Sequence, residues 1–464
     1  MPSRARPARL ALALALLFVA LGLSSLNRAS AASRYTILSA KRIAPGLYYQ
    51  AIKDSQGPRR IFVLRVNAPR DVTIDTALAQ NELGHVEKTT SMASRHGAIA
   101  AVNGDFGSWS GRPSYGYAED GDLKILPVLG GPRDFAVKKD ETQSFAGATT
   151  FSIRMVEVDS SERWGIKKWN YSTPASGEMA GYNEAAGTFA APPNNACYAK
   201  LTPTSALAWS GTGLGMEFSV GQAGCQSTPP SIGQGVVLAA KPNTSQGDEL
   251  KTLTDGETIR LLWSFKWPGV MDVMGGVPSL LQGGSVVATN CSADLCNRHP
   301  RTGVGIRSDG RVLLVVVDGR QKGWSIGYTL VEFAQLFKWL GAVDAINLDG
   351  GGSSTMVVEG AIKNRPSDGT ERSIVNSILV LPGPDSGEPT PTSGFQPAVA
   401  AQSSPSTLEA TESPAEEQAS ILAAARDPGS TGGMVDALVR GALGPAPSRL
   451  PPEFAEVLRQ YRGH

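Results

Sequence analysis

Histidine is scarce in this chain of 464 residues, which contains only four. They are His85, His96, His299 and His464. None stands three or four positions from another, and the pair Cys291 and Cys296 has no matching second cysteine pair. Because zinc sites draw on closely spaced histidines and cysteines, this pattern argues against a zinc hydrolase, and we predict no metal site.

An excess of charge of either sign is also missing. The 43 lysines and arginines balance 42 aspartates and glutamates, for a formal net charge of +1. Such a balance gives no reason to expect a nucleic-acid-binding surface. With 41% hydrophobic and 18% charged residues, the chain is too apolar to be wholly disordered. Its 52 glycines favour a β-rich or α/β protein over a helical bundle.

Apolar runs long enough to span a bilayer are absent as well. The longest, residues 10–23, falls short of the ~20 residues that a spanning helix needs. It follows Arg4, Arg6 and Arg9 and precedes the small residues 29–31, an order typical of a secretory signal peptide. We therefore expect residues 1–31 to be cleaved and the protein to be secreted, extracellular or periplasmic, without a membrane span.

Export changes the interpretation of the four cysteines. In an oxidising compartment an even number of cysteines favours disulfides, here two. Sequence order suggests Cys197–Cys225 and Cys291–Cys296, although three pairings are compatible with four cysteines.

Composition changes sharply near residue 385. Residues 385–464 hold ten of the 31 prolines and ten acidic against five basic residues. A stretch so poor in apolar residues cannot offset its chain entropy by burial. The sequence thus predicts a folded domain at 32–384, followed by a Pro/Ser/Thr-rich linker and an acidic, largely disordered tail. It does not predict the oligomeric state.

Alternating apolar residues predict strands within the body. These strands are residues 60–66, 72–77, 151–158 and 258–265. The apolar run 312–317 predicts a strand buried on both faces, and a capping-box pattern at Thr329 opens a helix over 330–340.

Two more strands follow that helix, at 344–349 and 355–359. A strand, a helix and a strand form a crossover unit, for which right-handed parallel pairing is expected. The predicted fold class is α+β, with a mixed β-sheet core. Residues 159–251 are rich in glycine and proline, and we expect short strands and long loops there.

The strongest functional signal is the segment 347–355, Asn-Leu-Asp-Gly-Gly-Gly-Ser-Ser-Thr. Asp349 closes a predicted strand, and the glycines after it allow backbone N–H groups to converge on a ligand. Ligands commonly bind beyond the carboxyl ends of strands, where Ser353 and Ser354 add hydroxyls. A plain glycine-rich hairpin is the alternative, but the acid, the hydroxyls and the amide of Asn347 favour a site.

Two further sets of polar residues flank predicted strands. Arg301 precedes strand 312–317, and its planar guanidinium is suited to a phosphate or a carboxylate. Asp318 ends that strand; if it neighbours the strand of Asp349, two carboxylates flank one cleft, as glycoside hydrolysis requires. An Asp-Gly turn is the alternative. Asn103 and Asp105 follow another predicted strand, 96–102, although Asn-Gly-Asp is common in turns.

Together these motifs resemble, in their order, those of the phosphodiester glycosidase family, over about residues 40–382. They are residues 101–106 (Ala-Val-Asn-Gly-Asp-Phe), 301–305 (Arg-Thr-Gly-Val-Gly), 315–320 (Val-Val-Val-Asp-Gly-Arg), 347–354 (Asn-Leu-Asp-Gly-Gly-Gly-Ser-Ser) and 364–368 (Asn-Arg-Pro-Ser-Asp) with Glu371 and Arg372. Gly107 departs from the family pattern, which usually has a second aromatic residue there, and this implies a more open site.

The resemblance implies hydrolysis of a sugar-1-phosphodiester, of the N-acetylglucosamine-1-phosphodiester type, releasing free sugar from a phosphorylated acceptor. The expected substrate is a phosphodiester-linked sugar or glycopolymer, for example of the cell envelope. No cofactor is required, although Ca²⁺ or Mg²⁺ is compatible. The catalytic residues carried over are Asp349, Asp318, Asp105 and Arg301. The substrate-binding residues carried over are Asn103, Thr302, Asn347, Ser353, Asn364 and Arg372. From the glycine turn itself we add Gly350, Gly351, Gly352 and Ser354.

Roles within this set are our own inference. Arg301, with Arg372, would hold the phosphate, and the amides of 350–352 would bind an oxygen. Asp349 would act with Asp318 or Asp105 as nucleophile-or-base and acid. Arg372 and Glu371 could equally form a surface ion pair.

Two other classes of function stay open. One is a secreted carbohydrate-binding protein without turnover, which keeps the pocket but releases no sugar. The other is a divalent-metal phosphodiesterase that cleaves the P–O bond, with the aspartates as hard oxygen ligands.

Overall fold

The computed structural model describes residues 34–67, 72–127, 133–139, 143–144, 151–211, 213–265, 267–289 and 294–383. The predicted signal peptide, the predicted linker and tail, and Cys291 lie outside these residues. Of the described residues, 49% are in strands and 11% in helices, so the fold is more strongly β than the predicted α+β class. No helix in this part of the chain is long and apolar enough to cross a membrane.

The described strands and helices are numbered here in chain order. The strands are β1 (Tyr35–Ala44), β2 (Leu47–Asp54), β3 (Arg59–Val66), β4 (Val72–Leu78), β5 (Glu87–Lys88), β6 (Ala100–Asn103), β7 (Tyr117–Glu119), β8 (Asp122–Ile125), β9 (Arg133–Lys138), β10 (Gln143–Ser144), β11 (Ser152–Glu157), β12 (Arg163–Trp169), β13 (Met179–Asn183), β14 (Ala196–Pro203), β15 (Ala208–Ser210), β16 (Gly213–Gln226), β17 (Val236–Ala240), β18 (Thr258–Ser264), β19 (Val270–Gly276), β20 (Ser279–Gln282), β21 (Ser285–Val286), β22 (Arg301–Arg307), β23 (Val312–Val317), β24 (Ala342–Asn347), β25 (Met356–Val358), β26 (Ala361–Ile362), β27 (Ser373–Ile374) and β28 (Asn376–Pro382). The α-helices are α1 (Thr89–Arg95), α2 (Ser245–Thr252) and α3 (Leu330–Trp339), and the short 3-10 turns are Ala79–Asn81, Glu184–Ala186, Asp294–Cys296 and Gly351–Ser353.

Two antiparallel sheets pack face to face. Sheet 1 has the strand order β1-β2-β3-β23-β22-β24-β20-β21, and sheet 2 has the order β26-β25-β6-β28-β4. Leu64 and Leu314 of sheet 1 share one core with Val102 and Ile378 of sheet 2. On its other face, sheet 1 is covered by α3 through residues such as Phe333, while α1 covers the outer face of sheet 2. The layers are therefore helix, sheet, sheet, helix.

A closed barrel forms the second body of strands. Its order is β14-β17-β13-β12-β11-β18-β16, and pairing of β14 with β16 closes the ring. The predicted disulfide Cys197–Cys225 is confirmed and joins directly opposed positions of β14 and β16. A smaller sheet, β10-β9-β19-β7-β8, shares its core with the barrel, and β27 pairs with β5.

Residues 159–251 supply five of the barrel strands. As expected, β13 and β17 are short, with five residues each, but β14 and β16 are longer than expected, with eight and 14 residues. Glycines hide the alternating pattern because they occupy positions that a larger side chain could not. A Cβ at Gly181 would lie 2.3 Å from the Trp169 ring, and one at Gly215 would lie 2.5 Å from Leu262 Cδ2.

Several local predictions are confirmed in sheet 1. Strand β23 has the predicted bounds and is buried on both faces. Helix α3 begins with the predicted capping box, in which the Thr329 Oγ1 accepts from the Glu332 N–H and Glu332 Oε2 accepts from the Thr329 N–H.

The predicted pairing of the strands around this helix was wrong. Strand β22 lies between β23 and β24 and is antiparallel to both, so those two strands run parallel without touching. The next predicted strand, β25, belongs to sheet 2, where it pairs with β6.

Candidate active site

Strand ends of both sheets meet at one edge of the sandwich. Since β22 is antiparallel to β23 and β24, its first residues lie beside the last residues of those strands. In sheet 2 the end of β6 likewise lies beside the starts of β25 and β28. Thr302 Oγ1 donates to Asn103 Oδ1 at 2.7 Å and so joins the two sheets at this edge. The motifs separated in sequence therefore converge.

Asn103 holds the glycine-rich turn in place. Its side chain is fully buried, and its Nδ2 donates to the Asp349 carbonyl at 2.8 Å. Its Oδ1 accepts from Thr302 Oγ1 and from the Thr355 N–H, the latter at 3.1 Å. All these partners are protein groups, so Asn103 orients the turn.

Asp349 is half-buried at the start of the turn. Its N–H donates to the Gly104 carbonyl at 3.0 Å, and its Oδ1 accepts from the Gly350 N–H at 2.8 Å. Burial raises the pKa of the Asp349 carboxyl, whereas the Ser353 hydroxyl and the guanidinium groups of Arg372 and Arg320 oppose the rise. The carboxylate thus lies beside cations, in a residue that is half-buried.

The glycines of the turn make room for those two arginines. A Cβ at Gly352 would lie 2.1 Å from Arg372 Nη2, and one at Gly351 would lie 3.2 Å from Arg320 Nη1. The amide of Gly350 donates to Asp349, and that of Gly351 donates to the Pro300 carbonyl. Two of the three amides expected to bind a substrate oxygen are therefore already used within the protein.

Arg372 lies on the open side of the turn. Its Nε and Nη2 donate to Asp368 Oδ2 at 2.9 and 2.6 Å, and its guanidinium lies 5.4 Å from the Trp109 ring centroid. Trp109 is 54% exposed, which leaves an indole face open at the rim. Glu371, the alternative partner of Arg372, instead accepts from the N–H and hydroxyl of Thr90 in the first turn of α1.

Arg320 was not among the site residues predicted from the sequence, although it ends the motif 315–320. It is exposed, and its Nε and Nη2 lie 3.2 and 3.0 Å from His299 Nδ1. Desolvation and the neighbouring Arg372 lower the pKa of Arg320, while the carboxylates of Asp294, Asp368 and Asp349 oppose this. The signal that could have identified it is its position directly after the Asp-Gly at a strand end.

Arg301, the predicted phosphate ligand, is 2% exposed. Its Nε donates to the Tyr328 carbonyl at 3.0 Å, and its Nη2 donates to the carbonyls of Leu295 and Asn297 at 2.6 and 2.7 Å. Burial lowers the pKa of Arg301 to about 9. These contacts are those of a residue that stabilises surrounding backbone, and the expected phosphate contact does not fit them.

Asp318, predicted as a candidate acid, is enclosed by donors. Its Oδ2 accepts from Trp324 Nε1 at 2.7 Å, and its Oδ1 accepts from Asn364 Nδ2 at 3.2 Å and from the Arg365 N–H at 3.0 Å. Asn364 in turn donates to the Ser354 carbonyl. Burial raises the pKa of Asp318, and these hydrogen bonds oppose the rise. The carboxylate organises the loop that follows the turn.

Asp105 is 3% exposed and lies next to the turn through Gly104. Its Oδ2 accepts from the Tyr115 N–H at 3.3 Å, whereas its Oδ1 has no hydrogen-bond partner among the described residues. Burial, with the charges of Asp134 and Asp349, raises the pKa of Asp105 well above its usual range. Relative to an exposed aspartate, this environment favours the protonated form.

The remaining predicted site residues are buried supports of the turn. Asn347 Nδ2 donates to the carbonyls of Val277 and Leu348, both at 2.8 Å. Ser353 and Ser354 are 2% and 1% exposed. Asn376, which the sequence reasoning missed, accepts from the Asp105 N–H at 2.8 Å.

Gly107, where the family pattern has an aromatic residue, cannot carry a side chain here. A Cβ there would lie 2.3 Å from Val375 Cγ1.

A group of carboxylates that could offer oxygen ligands to a cation lies elsewhere. Single carboxylate oxygens of Asp75, Asp120 and Asp272 come within 4.8 Å of one another. Thr76 Oγ1 and the Asp120 N–H already donate to Asp272, and burial raises the pKa of Asp75 well above its usual range. None of the three belongs to the strand ends that form the candidate site.

Comparison with known proteins finds a family model that matches part of the chain. Residues 215–381 match the family model described as phosphodiester glycosidase. The chain is 44% identical over 88 residues to the SPbeta prophage-derived uncharacterized protein YomE of Bacillus subtilis (strain 168), covering 19% of this chain and 14% of that protein. It is 30% identical over 112 residues to N-acetylglucosamine-1-phosphodiester alpha-N-acetylglucosaminidase of Mus musculus, covering 21% of each.

The chain therefore spans about a fifth or less of the length of these curated relatives. A crystal structure of a hypothetical protein from Synechocystis shares the fold, with a TM-score of 0.55 and 20% identity over 72% of this chain and 62% of that one. The family match includes Arg320, Asp349 and Arg372 and leaves out Asp105. The resemblance to the phosphodiester glycosidase family that the motifs indicate is thus confirmed, through the match over residues 215–381.

Proposed function

We propose that this chain is an exported hydrolase that cleaves sugar-1-phosphodiesters at the glycosidic bond. The observation that carries the proposal is the surroundings of Asp349. A half-buried carboxylate lies beside Arg320 and Arg372, and the glycines of the turn leave room for both guanidinium groups. Guanidinium groups bind phosphate oxygens through paired hydrogen bonds. A carboxylate between such cations suits an anomeric carbon attached to a phosphate.

Two carboxyl groups have the different environments that acid–base catalysis needs. At Asp349, neighbouring cations oppose the rise in pKa that burial causes. At Asp105, neighbouring carboxylates raise the pKa further. We therefore assign Asp349 as nucleophile or base and Asp105 as the acid, in keeping with the general pattern of paired carboxyl groups. Asp318 is a less suitable acid because both of its oxygens already accept hydrogen bonds.

The reaction adds water across one bond. Water, activated directly or after a covalent step at Asp349, supplies a hydroxyl to the anomeric carbon, and the bond from that carbon to the bridging oxygen breaks. The bridging oxygen leaves with the phosphate as a phosphomonoester. Because a phosphomonoester is a good leaving group, the acid contributes less here than in ordinary glycoside hydrolysis.

Trp109 at the rim of the site indicates the kind of substrate, and the disulfide indicates the compartment. The exposed indole of Trp109 beside Arg372 offers an apolar face for a sugar ring next to the phosphate. The Cys197–Cys225 disulfide is suited to an oxidising compartment. The signal-like segment 1–31 would direct the chain to such a compartment. We propose a phosphodiester-linked sugar or glycopolymer of the cell envelope as the substrate, hydrolysed without a required cofactor.

The test replaces the carboxylate that the proposal places at the reacting carbon. Asp349→Asn should lower sugar release from an N-acetylglucosamine-1-phosphodiester probe by about 10³-fold or more, because it removes the charge and keeps the shape. Asp309→Asn is the matched control, since Asp309 lies in the partly exposed hairpin between β22 and β23. Full activity of Asp349→Asn would remove Asp349 from the mechanism. Retention of a glycopolymer without any sugar release by the wild type would favour a binding protein instead.

A further inference from the structure

His299 has a defined tautomer because its two ring nitrogens face different partners. Its Nδ1 accepts from Arg320, whose guanidinium has no acceptor of its own. Its Nε2 lies 2.8 Å from the Asp294 carbonyl and must therefore be the donor. The imidazole is neutral in this arrangement, with its proton on Nε2.

The backbone holds His299 and Arg320 against each other. The N–H and carbonyl of His299 exchange hydrogen bonds with Tyr328, both at 3.1 Å. A Cβ at Gly319 would lie 2.5 Å from Pro300 N, so the backbone before Arg320 packs directly on the backbone after His299. Arg320 itself has a left-handed φ of 57°. Its side chain leaves this turn toward the imidazole.

The Arg320 guanidinium contacts both the imidazole and the glycine turn. Nε and Nη2 form the edge that faces His299. The guanidinium also lies over Gly351, where a Cβ would be 3.2 Å from Nη1 and 3.3 Å from Nη2, and its charge acts on Asp349. The imidazole thereby fixes the orientation of the guanidinium over the glycine turn.

We propose that His299 is a positioning residue, which holds Arg320 toward the phosphate of the substrate as long as its Nδ1 is unprotonated. This inference rests on the proposed function, because it assumes that Arg320 binds the phosphodiester. Protonation of Nδ1 would place an N–H against the guanidinium, break both hydrogen bonds and add a like charge.

The charged groups that face His299 determine the direction of the effect. Arg301 and Arg320 favour the neutral ring, and Asp294 favours the charged one. Burial is the largest influence, and with the arginines it holds the pKa of His299 below its usual value. Substrate binding should therefore be strongest at neutral pH and weaken as the pH falls through the pKa of His299.

The experiment measures KM and kcat for the phosphodiester probe between about pH 5 and pH 8. For the wild type we expect KM to rise about 10-fold toward acid. Any effect of titrating Asp105 and Asp349 is common to the wild type and to the His299 variants. His299→Asn places an acceptor oxygen near the position of Nδ1 but does not titrate. It should keep the neutral-pH KM and lose the acid rise.

Two further variants make the outcome decisive. Arg320→Met should raise KM about 10–100-fold and abolish the acid rise, since no guanidinium is left to position. His299→Leu should raise KM at every pH and add nothing in the Arg320→Met background. An acid rise in KM that persists in His299→Asn would overturn the inference while leaving the proposed function intact. Absence of sugar release by the wild type at every pH would instead overturn the proposed function.

Discussion

At the level of single residues, the arginines near the glycine turn differ in what their guanidinium groups face. Arg301 is enclosed by backbone carbonyls. Its guanidinium donates hydrogen bonds to them and so stabilises the loop before β22. Arg320 and Arg372 keep part of their surface open beside Asp349. A sequence motif does not show which arginine donors are already bound within the protein. The structure therefore assigns the expected phosphate contacts to Arg320 and Arg372 instead of Arg301.

Asp105 provides a prediction in which activity and stability move in opposite directions. Its raised pKa means that the folded state binds more protons than the unfolded chain above the ordinary aspartate pKa. Stability is therefore lost as the pH rises from about 4 toward the pKa of the buried carboxyl. Asp105→Asn should abolish this loss and raise the free energy of unfolding at neutral pH by about 1–2 kcal/mol.

Urea unfolding at neutral and acidic pH measures this difference. The same Asp105→Asn variant should release sugar more slowly, because it cannot donate the proton to the leaving oxygen. Lower stability of the variant at neutral pH would contradict the assignment of a neutral, buried acid.

At the level of elements, the turn Gly351–Ser353 holds the candidate site together through close contacts. Gly352→Ala would put a Cβ 2.1 Å from both Arg372 Nη2 and Asp368 Oδ2, so the ion pair must move. We expect a loss of about 10–100-fold in kcat/KM with little loss of stability, because the pair is half-exposed. Gly165→Ala is the control, since a Cβ there meets only Lys167 Cε at 3.9 Å. An unchanged kcat/KM for Gly352→Ala would show that Arg372 does not need its present position.

Elements with a complete local signal could be predicted from the sequence. Strand β23 has an unbroken apolar run, and α3 has its own capping box. Both signals lie within the element itself, so each element could be recognised without knowing what it packs against. The insertion of β22 between β23 and β24 depends on pairing between distant segments, which local periodicity does not report. The same holds for the closure of the barrel by β14 and β16.

The candidate site likewise contains residues with a local sequence signal and residues that only spatial contacts reveal. Asn103, Asp105 and Asp349 were recognised because polar residues after strands stand out in the sequence. Arg320 and Asn376 were missed because a spatial neighbour is what marks each of them as a site residue; the position of Arg320 after a strand-end Asp-Gly is a weaker signal. His299 makes the first contact and Asp105 the second.

At the level of the whole molecule, the disulfide and the candidate site lie in different parts of the fold. Cys197 and Cys225 join two barrel strands, 28 positions apart in sequence, whereas the site lies at the edge of the two-sheet sandwich. Replacing both cysteines by alanine should lower the free energy of unfolding by about 2–4 kcal/mol. Below the unfolding transition, kcat/KM should stay within about twofold. Denaturant unfolding with paired activity assays measures both, and a large fall in kcat/KM of the folded variant would mean that the barrel shapes the site.

The central claim is that the chain cleaves the bond between the sugar and the bridging oxygen. Hydrolysis of an N-acetylglucosamine-1-phosphodiester in ¹⁸O-labelled water, followed by mass spectrometry of both products, tests it most directly. Attack at the anomeric carbon places the label in the free sugar and leaves the phosphomonoester unlabelled, which is the predicted result. Label in the phosphate, with sugar phosphate among the products, would show cleavage of the P–O bond and contradict the account.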